Sequence, residues 1–252
     1  MPAKRTIICV GLLLILALTP GCLYLRLLKV KKQLADFDRY VQVKEDQGIK
    51  LIFLKPVLYS GDIQTLLGPP TSSKKTPESE RWTFLFEKKY AVRKNEKGNF
   101  DVSLDMIFKD DLLSEIQLPE RFLVILPKPF LVLLCKTMGN AEINMGRQSV
   151  KGTFKYREKE ASQIQVPTQD ELLKSLGKSF AVNESDVNLN LHYRYQLKPT
   201  KANPEYVVLS WVDFAFREKG GRLLKAEANL CGIELFMDFS ADSADDKKPD
   251  NK

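Results

Sequence analysis

The chain of 252 residues is 44% hydrophobic and 28% charged, an ordinary globular balance that excludes a polytopic membrane protein, a collagen and a wholly disordered chain. Its 39 Lys+Arg against 32 Asp+Glu give a net charge of +7, a basic excess too diffuse to specify a nucleic-acid partner. The single histidine, His192, excludes a multi-histidine metal site and is the one candidate for any histidine-dependent mechanism.

At the N-terminus Lys4 and Arg5 precede an apolar run, Thr6 to Leu18, and then Thr19-Pro20-Gly21-Cys22, the charge, core and cleavage layout of an export signal. Small Gly21 before Cys22 resembles the lipobox of bacterial lipoproteins, in which a peptidase cuts before a cysteine that carries a diacylglycerol. The resemblance implies a signal peptide over 1–21, acylation of Cys22, and a membrane-anchored, periplasm-facing protein of the bacterial cell envelope. Leu23 in place of Asp favours the outer over the inner membrane. An uncleaved transmembrane anchor competes with this, because Thr6 to Leu25 is 20 residues without a charge, enough to span a bilayer. Arg26, Lys29, Lys31 and Lys32 follow the anchor and would sit near anionic head groups.

With Cys9 in the leader and Cys22 acylated, Cys135 and Cys231 remain, either as a disulfide in an oxidising envelope or as two buried thiols, since both have apolar flanks. No CxxC is present to write a zinc ribbon or a thioredoxin-like redox site.

Leu23, Leu27, Val30, Leu34, Phe37 and Val41 recur at four-three spacing and predict a lipid-anchored amphipathic helix over 22–45, packed on its own domain. Beyond it the chain resembles itself at a spacing of about 109 residues. Asp62 to Gly68 and Asp170 to Gly177 each read as a short helix stopped by glycine. Aromatic alternation follows in both, Trp82, Phe84 and Phe86 in one and Leu191, Tyr193 and Tyr195 in the other. Asp105 to Asp110 then lines up with Asp213 to Glu218, and Leu112-Leu113 with Leu223-Leu224 after hairpin turns at Asp110-Asp111 and Lys219 to Gly221. The fold predicted is α+β: two tandem related modules, 46–118 and 152–239, each a helix packed on an antiparallel three- to four-stranded sheet, preceded by the N-terminal helix. A connecting helical segment occupies 119–151, with Phe130 to Met138 as a buried helix, and 240–252 is a polar, disordered tail.

The string DIQTLLGPPT, then RWTFLF, then FKDDLLSEIQL resembles the small outer-membrane lipoproteins of the SmpA/OmlA type, accessory parts of the β-barrel assembly machine. In its tandem arrangement it is similar to the fold of the β-lactamase-inhibitor proteins. Residues 58 to 118 carry the likeness well and 168 to 230 loosely, and what it implies is architecture first and a barrel-assembly role second.

Signals for chemistry are sparse. Leu176-Gly177-Lys178-Ser179 ends like a P-loop but lacks the earlier glycine and follows a helix. His192 falls on the polar side of its strand, and Asp105 and Asp213 on exposed strand positions, with no GxSxG around any serine. Basic residues gather at Lys74-Lys75 and at Lys88, Lys89, Arg93, Lys94 and Lys97, read as solvated loops. The expectation is therefore a lipoprotein without cofactor, metal or catalysis, acting as a protein-binding or assembly factor with an envelope protein partner. The alternative is a carrier or sensor of a lipid or other apolar ligand held between the modules under Phe130 to Leu134.

Overall fold

The computed structural model describes residues 23–90, 100–144, 149–155, 165–184, 189–200, 204, 208–217 and 221–240. The signal peptide expected over 1–21, Cys22, the residues Arg93, Lys94 and Lys97, and the residues after Ser240 lie outside them. Residues 23–35 form helix α1, and Phe37–Tyr40 a short α2. Strands β1 (Val41–Glu45) and β2 (Ile49–Phe53) pair as a hairpin, followed by α3 (Ser60–Leu67), β3 (Ser72–Lys75), β4 (Glu80–Lys88), β5 (Val102–Lys109) and β6 (Leu112–Leu118). A 3-10 turn over Glu120–Leu123 leads to α4 (Lys128–Met138), β7 (Glu142–Asn144) and β8 (Ser149–Lys155). Then come α5 (Gln169–Leu176), β9 (Ala181–Glu184), β10 (Leu189–Leu197), β11 (Leu209–Phe216), β12 (Leu223–Leu230) and β13 (Ile233–Asp238).

The helix expected over 22–45 is shorter than its four-three stripe. It breaks at residue 36, and Val41 and Val43 belong to β1, where they alternate with Gln42 and Lys44 and face inward. Two β-branched residues at period two fit a pleated strand better than a helix. The hairpin turn that makes the pairing possible uses Gln47 (φ 51°) and Gly48 (φ 127°).

Two runs of elements then recur. Ser60, Ser72 and Glu80 begin α3, β3 and β4, and Gln169, Ala181 and Leu189 begin α5, β9 and β10, a constant offset of 109 residues that also holds at their ends. Tyr59 and Thr168 are the N-caps; the N–H of each donates to the carboxylate three residues on, Asp62 at 2.9 Å and Glu171 at 2.8 Å. Asp62 thus corresponds to Glu171, not to Asp170 as the sequence alignment has it. Both helices stop at a glycine with positive φ, Gly68 at 81° and Gly177 at 69°. Isolated bridges tie Tyr59 to Leu112 and Thr168 to Arg222, which shifts the return strands by one residue and pairs Leu113 with Leu223. Bulges fall at corresponding places, between Ile107 and Phe108 and between Ala215 and Phe216.

The thirteen described strands form one sheet rather than two, in the order β1-β2-β6-β5-β4-β10-β11-β12-β13-β8-β7, with β3 on β4 and β9 on β10. All pairings are antiparallel except β13 with β8. The join is the seam between β4 and β10, where Lys88, Glu87 and Phe86 face Tyr195, Gln196 and Leu197. Since β3 and β9 cover only part of the same edges, the remainder of each edge is open to the other. At the 109-residue offset Phe86 corresponds to Tyr195, Glu87 to Gln196 and Lys88 to Leu197, so the register has the form of a two-fold pairing with Glu87 and Gln196 on its axis.

Along this register one face of the sheet is apolar from Val41 and Val43 through Met106, Phe84, Leu197, Tyr193, Phe214 and Ala226 to Met237 and Phe154. Leu172 and Leu176 of α5 and Phe130 and Leu131 of α4 join one cluster with Phe37, Val41 and Ile49 from the N-terminal hairpin. Ile63 of α3 packs with Trp82, Phe84, Met106 and Phe108 in a second. The 119–151 segment holds a helix, with Pro127 as N-cap, Pro129 in its first turn and Phe130 and Leu131 buried, but ends in strand, β7 and the start of β8.

Candidate functional site

Helix α1 is fastened to the body by its inner stripe. Leu27 and Val30 pack against the α3 cluster, Leu34 against the larger one, and buried Gln33 donates from Nε2 to the Lys55 carbonyl at 2.7 Å. Arg26 reaches Asp62 bidentately, Nε to Oδ2 at 2.6 Å and Nη2 to Oδ1 at 2.5 Å, and its guanidinium lies 5.2 Å from the Tyr59 ring centroid. Asp62 is 5% exposed, and at N3 of α3 it serves that helix's positive end as well as Arg26. The pair escaped the sequence reading, though Arg26 stands one turn before Val30 on the inner side. The outer side of α1 carries Tyr24 (39% exposed), Leu25 (59%) and Leu28 (37%), and then exposed Lys29 and Lys32.

At the seam, Lys88 is buried rather than part of a solvated basic loop, because the alternation of Trp82, Phe84 and Phe86 continues inward through it. Its ammonium donates to the Leu176 carbonyl at the end of α5 and lies 5.0–5.1 Å from the ring centroids of Tyr90, Phe100 and Tyr193. A cation at a helix C-terminus is electrostatically favoured. Tyr193 Oη donates to the Gly177 carbonyl at 2.9 Å, so β10 and β4 both secure the same helix end. Tyr195 Oη is buried without a hydrogen-bond partner among the described residues. Burial pushes the phenols of Tyr193 and Tyr195 well above their ordinary range.

On the face of the sheet away from these clusters, Asp105 and Asp213 are half-buried and engaged, a correction to their reading as exposed strand positions. Asp105 accepts from Arg81 at 2.7 Å and Thr83 at 2.7 Å. Asp213 accepts from Arg194 at 2.5 Å and lies 3.1 Å from His192 Nδ1, directly across the strand pair. His192 Nε2 meets the Asn183 side-chain amide at 3.0 Å, so both ring nitrogens are engaged. The imidazole is therefore half-buried and paired, not the exposed surface residue that its place on the polar side of the strand suggests.

A scan of protein-family models, a search of curated proteins and a search of solved structures find no match.

Cys135 on α4 and Cys231 in the β12–β13 turn are free thiols. Burial pushes the Cys135 thiol up to about 12 and raises that of Cys231, which disfavours the reactive thiolate in both. Cys22 lies outside the described residues. Among the described residues no group of His, Cys, Asp and Glu has metal-holding geometry, and no helix is long and apolar enough to cross a membrane. A cleft of about 10 Å³, room for about one water, opens beneath α1, lined by Val30, Gln33, Phe53, Pro56, Leu58 and Leu113. None of its lining comes from α4, where a ligand between the modules was expected, and it is below the volume of usual small-molecule sites.

Proposed function

We propose that this chain is a bacterial envelope lipoprotein, tethered through acylated Cys22, whose body of two related α+β modules in tandem acts as a non-catalytic protein-binding or assembly factor. The tether is supported foremost by the seating of α1. Described residues 23–35, which follow Cys22 in the sequence, are held by the Arg26–Asp62 pair and the Leu27–Val30–Leu34 stripe, so an anchor at Cys22 would be joined directly to the folded body. The matching caps, bulges and seam register of the α3–β6 and α5–β12 runs support the duplication. A binding role is supported by the polar face of the sheet, where two ion-paired groups, Arg81 with Asp105 and Arg194 and His192 with Asp213, present charge of the kind that a protein partner reads. Barrel assembly, implied by the likeness of residues 58 to 118, is one form this role takes.

Intact mass spectrometry of the membrane-extracted chain beside Cys22→Ser tests the tether. The expected result is loss of residues 1–21 with an added diacylglycerol mass that the variant lacks. A full-length, unlipidated mass would overturn it and make Thr6 to Leu25 an anchor. With the lipid mass present, cross-linking in intact envelopes should capture a recurrent envelope protein on the wild type and lose it in the variant.

A further inference from the structure

We propose that the outer side of α1 is a bilayer-docking surface, which seats the folded body directly on an anionic lipid headgroup layer. The proposal rests on the tether above but claims something separate: contact of the body with lipid, not merely attachment to it. Tyr24, Leu25 and Leu28 expose apolar surface on α1, shortly after the apolar run Thr6 to Leu18 and the Cys22 position in the sequence. Scattered exposed apolar residues need no explanation, but three on one side of one helix, next to an anchor, present a continuous strip. Lys29 and Lys32 continue the same side one turn on and are exposed. From Leu25 to Lys32 the helix rises about 10 Å, so with Leu25 at the acyl boundary and the helix inclined to the surface, Lys32 stands among the head groups and Asp36 beyond them. Tyr59, 43% exposed and set against the Arg26 guanidinium, adds an amphipathic ring at the same end, of the kind enriched at membrane interfaces. Because the inner stripe and the Arg26–Asp62 pair fix α1 to the body, the helix cannot turn this side away: docking it orients the whole sheet.

The test places a tryptophan on the full, membrane-extracted chain at Leu25→Trp, Leu28→Trp or Asp36→Trp, and reads the added emission over that of Trp82 and Trp211. Each protein is reconstituted in nanodiscs of brominated phosphatidylcholine, with or without phosphatidylglycerol. The Leu25→Trp and Leu28→Trp emission should shift to the blue and lose most of its intensity to bromine, and the Asp36→Trp emission should lose little. In the Leu28→Trp chain, Lys29→Glu with Lys32→Glu should reduce the quenching in phosphatidylglycerol discs and leave it unchanged in pure phosphatidylcholine. Quenching at residues 25 and 28 no greater than at 36 overturns the proposal and leaves this side for a protein partner. Equal, strong quenching at all three overturns it in favour of an inserted helix. Lipid mass on Cys22 without quenching removes docking and keeps the tether; quenching without lipid mass does the reverse.

Discussion

Lys88 shows how one side chain decides the character of the seam. Its counterpart at the 109-residue offset is Leu197, which is 1% exposed and packs in the α3 cluster of the other run. Each run therefore sends one side chain across the seam toward the other run's core, a leucine in one direction and a lysine in the other. Burying an ammonium is costly unless it is paired, and here the Leu176 carbonyl and three aromatic faces offset that cost. Lys88→Leu should then lie within about 1 kcal/mol of the wild type in urea unfolding, since an apolar side chain of similar volume replaces a buried charge. Lys88→Ala should lose about 2–4 kcal/mol through the cavity it leaves. If leucine proves as damaging as alanine, the ammonium contacts, and not the filled volume, hold the seam. Alternation along β4 was legible enough to have placed Lys88 inward, yet a cluster of neighbouring basic residues argued for a loop. Only the extra strand pairing with β10 shows which signal prevails.

Among the elements, the helix stops were the most readable. A glycine after the last apolar residue marked both α3 and α5, and the geometry explains why: Gly177 combines φ 69° with ψ −167°, a region that side chains resist. A Cβ there would also sit 2.5 Å from the Phe100 ring. Gly177→Ala should accordingly lower stability by about 2 kcal/mol or more in thermal or urea unfolding. Gly61→Ala, in the first turn of α3 with nothing within 4 Å of the added carbon, should leave it unchanged or raise it by about 0.5 kcal/mol. Equal effects at the two sites would refute the assignment of Gly177 as a strained cap. The end of α1 was misread for the opposite reason. Leu34, Phe37 and Val41 keep helical spacing across the break, whereas β1 exists because β2 offers it a partner, and pairing across a hairpin leaves only a short-period trace in so few residues.

For the molecule as a whole, the continuous sheet and the cluster that joins the N-terminal hairpin to α4, α5 and β10–β13 make one cooperative unit the expectation. Single-tryptophan chains, Trp211→Phe reporting Trp82 on β4 and Trp82→Phe reporting Trp211 on β11, should unfold with coincident urea transitions. Two separated midpoints would mean that the seam of three residue pairs does not couple the runs. The α+β class, the short helices with their glycine stops, the aromatic strands and their repetition about 109 residues apart are legible in the chain, because stops, turns and alternation are local and written within one or two turns. That the strands share one sheet, that Arg26 joins Asp62, that Lys88 enters the other run's helix end and that His192 faces Asp213 emerges with the folded chain. Arg26 and Asp62 lie 36 residues apart, and Lys88 and Leu176 lie 88 apart. Which strand edge meets which depends on the edges that β3 and β9 leave open, a property of the assembled sheet that no window of sequence contains.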